Sequence, residues 1–157
     1  MDSTDKFVRD METGAKLVSY LSKHFKDSGG TIELAPDGPF KPYDLIVTKG
    51  QSSFKIECKY DLLMSKTGNH AIEFWRGDSK SGIAATESDY WCVANTTEDK
   101  VYLFDTNRLK ELCQKEKFPI VSGSDGMRAK MFLVKFGQLK NMLRPIEINL
   151  HCLNIPF

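Results

Sequence analysis

The sequence predicts an α/β fold: a single domain over residues 1–157 with a mixed central β-sheet flanked by helices. Three observations lead to this prediction. Residues 4–26 carry an amphipathic helical pattern, residues 43–59 carry two strand-like runs around a tight turn, and the later apolar runs alternate with short helical stretches. A chain of 157 residues is long enough for one domain with a proper hydrophobic core.

Composition narrows the classes of function. The chain has 22 Lys and Arg against 21 Asp and Glu, so any nucleic-acid surface must be a local basic patch rather than a global field. Its scattered cysteines form no CxxC or zinc-type spacing, which indicates a reduced, intracellular chain. No apolar run is long enough to cross a membrane, and no secretory signal is visible. We therefore expect a cytoplasmic protein with no membrane partner and no organic cofactor.

The first predicted element is a helix from Thr4 to about Lys26. Its apolar positions recur at steps of one, three or four residues, and they are Phe7, Val8, Met11, Ala15, Val18, Leu21 and Phe25. Ser3 or Thr4 can cap its start, and Gly29 with Gly30 ends it. A short strand over residues 31–34 and a proline-containing loop over residues 35–42 follow.

Residues 43–59 are predicted to form a β-hairpin around Gly50 and Gln51. A glycine at the first central position suits a two-residue type II′ turn. This turn pairs Lys49 with Ser52, and the same register places Asp44 opposite Glu57. Directly opposed side chains share one face of a sheet, with Cβ atoms about 5 Å apart.

One face of this hairpin is charged and the other is apolar. Because strand side chains alternate, Lys59 shares the face of Asp44 and Glu57. Two carboxylates this close repel each other, and a divalent cation would remove the repulsion. Oxygen ligands in an incomplete cage suit Mg²⁺ or Mn²⁺. The alternative is a solvated sheet face with a Glu–Lys ion pair. The opposite face, expected to be core, consists of Leu45, Val47, Phe54, Ile56 and Cys58.

A strand over residues 70–75 and a polar turn come next. Glu73 lies between apolar neighbours on this strand, so it is either a further acid of the site or half of an ion pair. The turn leads into a short helix predicted over residues 83–88. Arg76, Lys80 and Ser81 at this turn would suit a phosphate group, although an ordinary surface loop explains them equally well.

The remaining chain alternates strands and helices. Residues 90–94 and 101–104 predict a second hairpin, and Asp105 or Thr106 caps a helix that runs to about residue 115. A strand over residues 131–136 and a helix over residues 137–143 follow. The alternating residues Ile146, Ile148 and Leu150 predict an edge strand or a contact with a second subunit.

An Asp after a loop, then a hairpin ending in Glu-x-Lys between two helices, resembles the PD-(D/E)XK nuclease superfamily. The motif reads Pro42-Tyr43-Asp44 and, thirteen residues after the Asp, Glu57-Cys58-Lys59, with Tyr43 splitting the usual Pro–Asp pair. The run from Gly68 through Tyr90-Trp91 is similar to small phage nucleases and Holliday junction resolvase-like proteins. The likeness covers about residues 1–104, which leaves residues 105–157 as a C-terminal elaboration.

The resemblance implies an αβββαβ restriction-endonuclease-like core and Mg²⁺-dependent hydrolysis of phosphodiester bonds, with Mn²⁺ able to substitute. Asp44 and Glu57 would bind the metal together with the backbone carbonyl of Cys58. Lys59 would orient the attacking water or help to deprotonate it. None of the three histidines has a triad-like setting in the sequence.

The resemblance also implies accessory acids and a class of partner. Glu73 and Glu12 would be the accessory acids, and DNA would be the substrate. We expect an endonuclease that can be selective for branched DNA, can act as a homodimer, and can be phage-encoded and work in a host cell. Two alternatives remain: a catalytically silent nucleic-acid-binding module on a nuclease-like fold, and a sequence-specific restriction-type nuclease.

Overall fold

The computed structural model describes residues 3–38, 42–61, 63–95, 100–123 and 128–149, with the side chains of the first helix described from residue 14 onward. The helices are α1 (Ser3–Asp27), α2 (Met64–Thr67), α3 (Thr106–Lys115) and α4 (Phe136–Leu143). The strands are β1 (Thr31–Leu34), β2 (Leu45–Lys49), β3 (Ser52–Tyr60), β4 (Asn69–Arg76), β5 (Ser79–Lys80), β6 (Tyr90–Asn95), β7 (Lys100–Asp105), β8 (Ile120–Ser122), β9 (Ala129–Lys135) and β10 (Ile146–Asn149). The predicted α/β class is confirmed.

Six strands form a mixed sheet in the order β1-β2-β3-β6-β7-β10. Its neighbouring strands are antiparallel except for β3 and β6, which run parallel. A parallel pair needs a long crossover connection, usually a helix. Here the crossover contains the single turn α2, the strands β4 and β5, and a 3-10 turn. The chain therefore begins α1-β1-β2-β3 as expected. The αβββαβ order implied by the resemblance has a helix next, but β4 and β5 take much of that place.

A second, antiparallel sheet has the order β5-β4-β9-β8. The strand predicted over residues 70–75 is β4, and its main partner β9 comes from the far end of the chain. The helix predicted over residues 83–88 is instead a 3-10 turn over Gly82–Ala84. It stops there because the Thr86 hydroxyl bonds to the Ser88 hydroxyl and to the Pro42 carbonyl, and such side-chain bonds compete with helical ones.

The main sheet is covered on both faces. On one face α1 packs Leu17 and Leu21 against the apolar side of β2 and β3. On the other face, Trp91 and Val93 of β6 join an apolar cluster with residues of β4, β7, α3, α4 and β9. Alternate residues of β6 thus enter different cores, which ties the helix α1, the main sheet and the second sheet together.

The segment after residue 104 completes both sheets. The edge strand predicted from the alternation at Ile146 and Ile148 is confirmed as β10, which pairs with β7. The predicted cap of α3 is also confirmed, since the Asp105 carboxylate accepts the Arg108 N–H at 3.0 Å. Leu150 lies outside the described residues. Across the described ranges, no helix is both long and apolar enough to cross a membrane.

Gly82→Ala is expected to destabilise the fold, because a Cβ at this position would lie 2.8 Å from the Glu73 carbonyl carbon, and closer still to its oxygen. Gly77→Ala is the matched control. Both glycines have positive φ, of +49° and +62°, but the nearest atom at Gly77 is 3.9 Å away. The positive φ should cost about 1 kcal/mol in each variant. The overlap should cost Gly82→Ala about 1–3 kcal/mol more. Urea unfolding measures both, and equal losses would contradict the close packing of this turn on β4.

Candidate metal centre

The predicted hairpin and its register are confirmed from Lys49–Ser52 to Leu45–Ile56. Gly50 has φ +63°, whereas Gln51 does not have a positive φ, which is the pattern of a type II′ turn. Leu45, Val47 and Ile56 are buried on the α1 side, as expected. The charged side chains of β3 therefore point to the opposite face.

Asp44 lies one residue before β2, where the regular ladder has ended. Its direct pairing with Glu57, expected from the register, is replaced by another arrangement. The Asp44 N–H donates to the Ile56 carbonyl at 2.9 Å, and its Oδ2 accepts the Cys58 N–H at 2.7 Å. The chain just before Asp44 is fixed as well, since the Pro42 carbonyl accepts the Thr86 hydroxyl at 3.1 Å and the Glu87 N–H at 2.8 Å.

Glu57 is the most buried acid of the site, with 12% of its side chain exposed. It is the register partner of Trp91 on β6, and both lie on the sheet face opposite α1. Its Oε1 lies 3.2 Å from Lys59 Nζ. Its Oε2 is buried and lacks a hydrogen-bond partner among the described residues. The solvated sheet face considered above as an alternative is therefore not what the structure has, although the Glu57–Lys59 ion pair is present.

The charges of Asp44, Glu57 and Lys59 act on one another. Burial raises the pKa of Glu57 to about 7, and the Asp44 charge adds to this rise while Lys59 opposes it. Burial also raises the pKa of Asp44, against the lowering effects of the Cys58 N–H and the Lys59 charge. Both pKa values are raised because burial disfavours the ionised carboxylates. The single positive charge of Lys59 does not compensate for two of them.

Cys58 supplies backbone groups to this site and a side chain to the core. In an extended strand the N–H and C=O of one residue point to the same side. Because its N–H meets Asp44, the Cys58 carbonyl is directed toward the β2 side of β3 as well. Its thiol is buried beside Cys92, and a hydrogen bond with Cys92 together with burial raises the pKa of the Cys58 thiol well above its usual value.

The donor set fits a hard divalent cation. Two carboxylates and one backbone carbonyl are oxygen donors, which Mg²⁺ prefers while it keeps several waters. The orphaned Oε2 of Glu57 is a buried acceptor that a cation would satisfy. Among the residues whose side chains are described, no group of three or more His, Cys, Asp or Glu is arranged to hold a metal. A cation here would thus have Asp44 and Glu57 as its side-chain ligands.

The two predicted accessory acids belong to elements other than the hairpin. Glu73 is on β4 in the second sheet, at a register shift between Glu73 and Trp75, and its Oε1 accepts the Arg76 Nε–H at 3.2 Å. Of the two sequence interpretations of Glu73, the ion pair is therefore the one observed. Glu12 lies on α1, but its side chain falls outside the described residues.

The residues suggested for phosphate contact lie around β4 and β5. Arg76 is engaged with Glu73, and Lys80 lies on the exposed strand β5. Ser81 is buried, its N–H donates to the Phe74 carbonyl, and its hydroxyl lacks a hydrogen-bond partner within the described chain. In this conformation Ser81 does not present its hydroxyl to a ligand on the surface.

Sequence reasoning missed a buried hydrogen-bonded chain behind the site. His70, which has no triad-like setting in the sequence, accepts the Trp91 indole N–H at 3.2 Å and contacts Asp61 at 3.2 Å. These three residues come from a connection, from β4 and from β6. No local spacing in the sequence brings them together, because their meeting depends on the second sheet.

Comparison of the chain with protein-family models, with curated proteins and with solved structures finds no match. The function of the chain is therefore inferred from the geometry of the site and from the motif resemblance.

Glu57→Gln should remove a pH dependence of stability. In metal-free buffer the folded state keeps a proton on Glu57 that the unfolded chain releases near pH 4.5, so this contribution is full below pH 4.5 and is lost as the pH rises through about 7. The wild-type unfolding free energy should fall by up to about 3 kcal/mol over this range relative to the variant. Urea unfolding at stepped pH measures the difference.

Glu33→Gln is the control for this experiment, since Glu33 is an exposed acid on β1. This variant should keep the wild-type pH dependence. A difference between wild type and Glu57→Gln that stays constant from pH 4.5 to pH 8 would contradict the burial of a protonated Glu57.

Proposed function

We propose that this protein is a Mg²⁺-dependent DNA endonuclease that hydrolyses phosphodiester bonds with a centre formed by Asp44, Glu57 and Lys59. The observation that carries the proposal is the buried carboxyl group of Glu57, which contacts Lys59 through Oε1 and has no partner for Oε2 among the described residues, next to the Cys58 N–H that holds Asp44. The PD-(D/E)XK-like motif supplies the reaction class.

The carboxylates of Asp44 and Glu57, with the Cys58 carbonyl, would hold the cation. When bound, Mg²⁺ lowers the pKa of a water ligand and offsets negative charge that develops on the phosphate. Glu57 acts as a ligand in its ionised form. Its pKa of about 7 means that metal binding near neutral pH is coupled to loss of its proton.

Lys59 would position the attacking water and assist its deprotonation. Its Nζ lies beside Glu57 Oε1, and 34% of its side chain is exposed, so the ammonium can face both the carboxylate and a substrate phosphate. A compact ammonium suits this role better than the planar guanidinium of Arg, which does not give up a proton in proteins.

The other assignments stay part of the proposal. An accessory role for Glu73 requires its ion pair with Arg76 to open, and the same opening would release Arg76 for a phosphate. Selectivity for branched DNA predicts a symmetric homodimer, because a four-way junction presents paired scissile strands.

A catalytically silent nucleic-acid-binding module is the second candidate. It is favoured by the ion pair that already neutralises one oxygen of Glu57, and by the presence of two acidic ligands rather than three within the described part of the chain. In that case Lys59 would contact the phosphate backbone without taking part in cleavage.

Cleavage should depend on Glu57, Lys59 and the metal. A panel of labelled duplex, four-way junction, flap, single-stranded DNA and RNA is incubated with Mg²⁺, Mn²⁺ or EDTA. Wild type should cleave DNA with either metal and not in EDTA. Glu57→Gln and Lys59→Met should each lower the rate about 100-fold or more, since each removes a ligand or a proton-transfer partner.

Lys49→Met is the matched control because Lys49 is exposed on the same hairpin. It should cleave at close to the wild-type rate. Unchanged cleavage by both Glu57→Gln and Lys59→Met would refute the proposal. Binding without cleavage of any substrate, with no effect of Mg²⁺, would support the silent module.

A further inference from the structure

Trp91 connects the proposed site to the interior of the protein. It is fully buried on β6, and its register partner on the parallel strand β3 is Glu57. Lys59 lies two residues further along β3. Its side chain folds back so that Nζ is 5.3 Å from the centroid of the indole and 3.2 Å from Glu57 Oε1. The ammonium therefore contacts a π-face and a carboxylate that lie side by side.

A chain of hydrogen bonds fixes the indole ring from the other side. The Trp91 Nε1–H donates to His70 Nε2 at 3.2 Å. Because an indole N–H can only donate, Nε2 of His70 is the acceptor and its Nδ1 carries the proton. That proton points to Asp61 Oδ2, which lies 3.2 Å away. His70 is itself 1% exposed, so its ring is held between its two partners.

Asp61 is held in turn by the backbone. Its Oδ2 accepts the Ala71 N–H at 2.9 Å, and its Oδ1 accepts the Leu63 N–H at 3.2 Å. Burial would raise the pKa of Asp61, but the hydrogen bonds from His70 and from these two amides outweigh burial and lower it. An ionised Asp61 is thus a fixed acceptor at the start of the chain Asp61–His70–Trp91.

The side chain that this arrangement affects is Lys59, the longest of the proposed centre. About a third of the Lys59 side chain is exposed, and a lysine side chain has four rotatable bonds, so without a second contact it could extend into solvent. An ammonium over an indole face is attracted by the ring quadrupole, most strongly where water is excluded. The contact with Glu57 sets only the distance from Lys59 Nζ to Oε1. The indole is a second contact, and the two together set the direction of the Lys59 side chain.

We propose that Trp91 is a positioning residue for Lys59 and that Asp61 and His70 set the orientation of its ring. The proposal rests on the proposed function, because it assigns these residues a part in the same reaction. Trp91 is fully buried, so it would act through the place at which it holds the Lys59 ammonium.

The experiment combines a spectroscopic readout with kinetics. In folded wild type, NMR of the lysine side chains should show Lys59 ε-protons shifted upfield by the Trp91 ring and an NOE to the indole. Trp91→Leu should remove the shift and lower kcat about 5- to 30-fold with little change in KM, the range expected for one cation–π contact. Trp91→Phe keeps a ring face and should retain part of both.

Leu139→Ala is the matched control, because Leu139 is equally buried in the same apolar cluster but comes from α4 and not from a strand beside β6. It should lower the melting temperature without moving the Lys59 resonances or kcat. His70→Leu removes the acceptor of the indole N–H and should reduce the Lys59 shift. Should Trp91→Leu fail to fold, the wild-type NOE and the Trp91→Phe variant decide the question.

An unshifted Lys59 with no NOE to the indole in folded wild type would overturn the inference. So would an unchanged kcat in folded Trp91→Leu. A wild type that cleaves no nucleic acid while its Lys59 shift is present would instead remove the proposed function, so the two failures are distinguishable.

Discussion

The carboxyl group of Glu57 is buried on β3, where it contacts the Lys59 ammonium of the same strand and has Trp91 of β6 as its register partner. An ionised carboxylate in such a place costs free energy unless charge or hydrogen bonds compensate it. Lys59 compensates one oxygen, and the other oxygen finds no partner among the described residues. Burial together with this imbalance raises the pKa of Glu57, and a divalent cation would supply the missing positive charge.

The fold supplies this environment from both of its sheets. The main sheet fixes Asp44 and Glu57 through the hairpin, and its parallel pairing of β3 with β6 brings Trp91 beside Glu57. The second sheet places His70 on β4, where it receives the indole N–H. The indole ring of Trp91 is thus held by residues of both sheets.

The sequence predicted local structure well and long-range partners poorly. The helix α1, the hairpin register and the face shared by Glu57 and Lys59 follow from periodicity and turn chemistry, which act over a few residues. Asp44 was expected to pair directly with Glu57. Because the ladder ends at Leu45, the Asp44 carboxylate instead accepts the Cys58 N–H. The pairing of β4 with β9 and the contact of His70 with Trp91 join distant segments, and no spacing in the sequence encodes them.

The central claim is that Glu57 binds a divalent cation by giving up a proton. Isothermal titration calorimetry with Mg²⁺ and Mn²⁺ near pH 6.5, in buffers of different ionisation enthalpy, measures binding and proton release together. The account predicts that metal binding releases a substantial fraction of one proton per site, and that Glu57→Gln loses this release along with most of the affinity. Metal binding without proton release, or equal binding by wild type and Glu57→Gln, would contradict it.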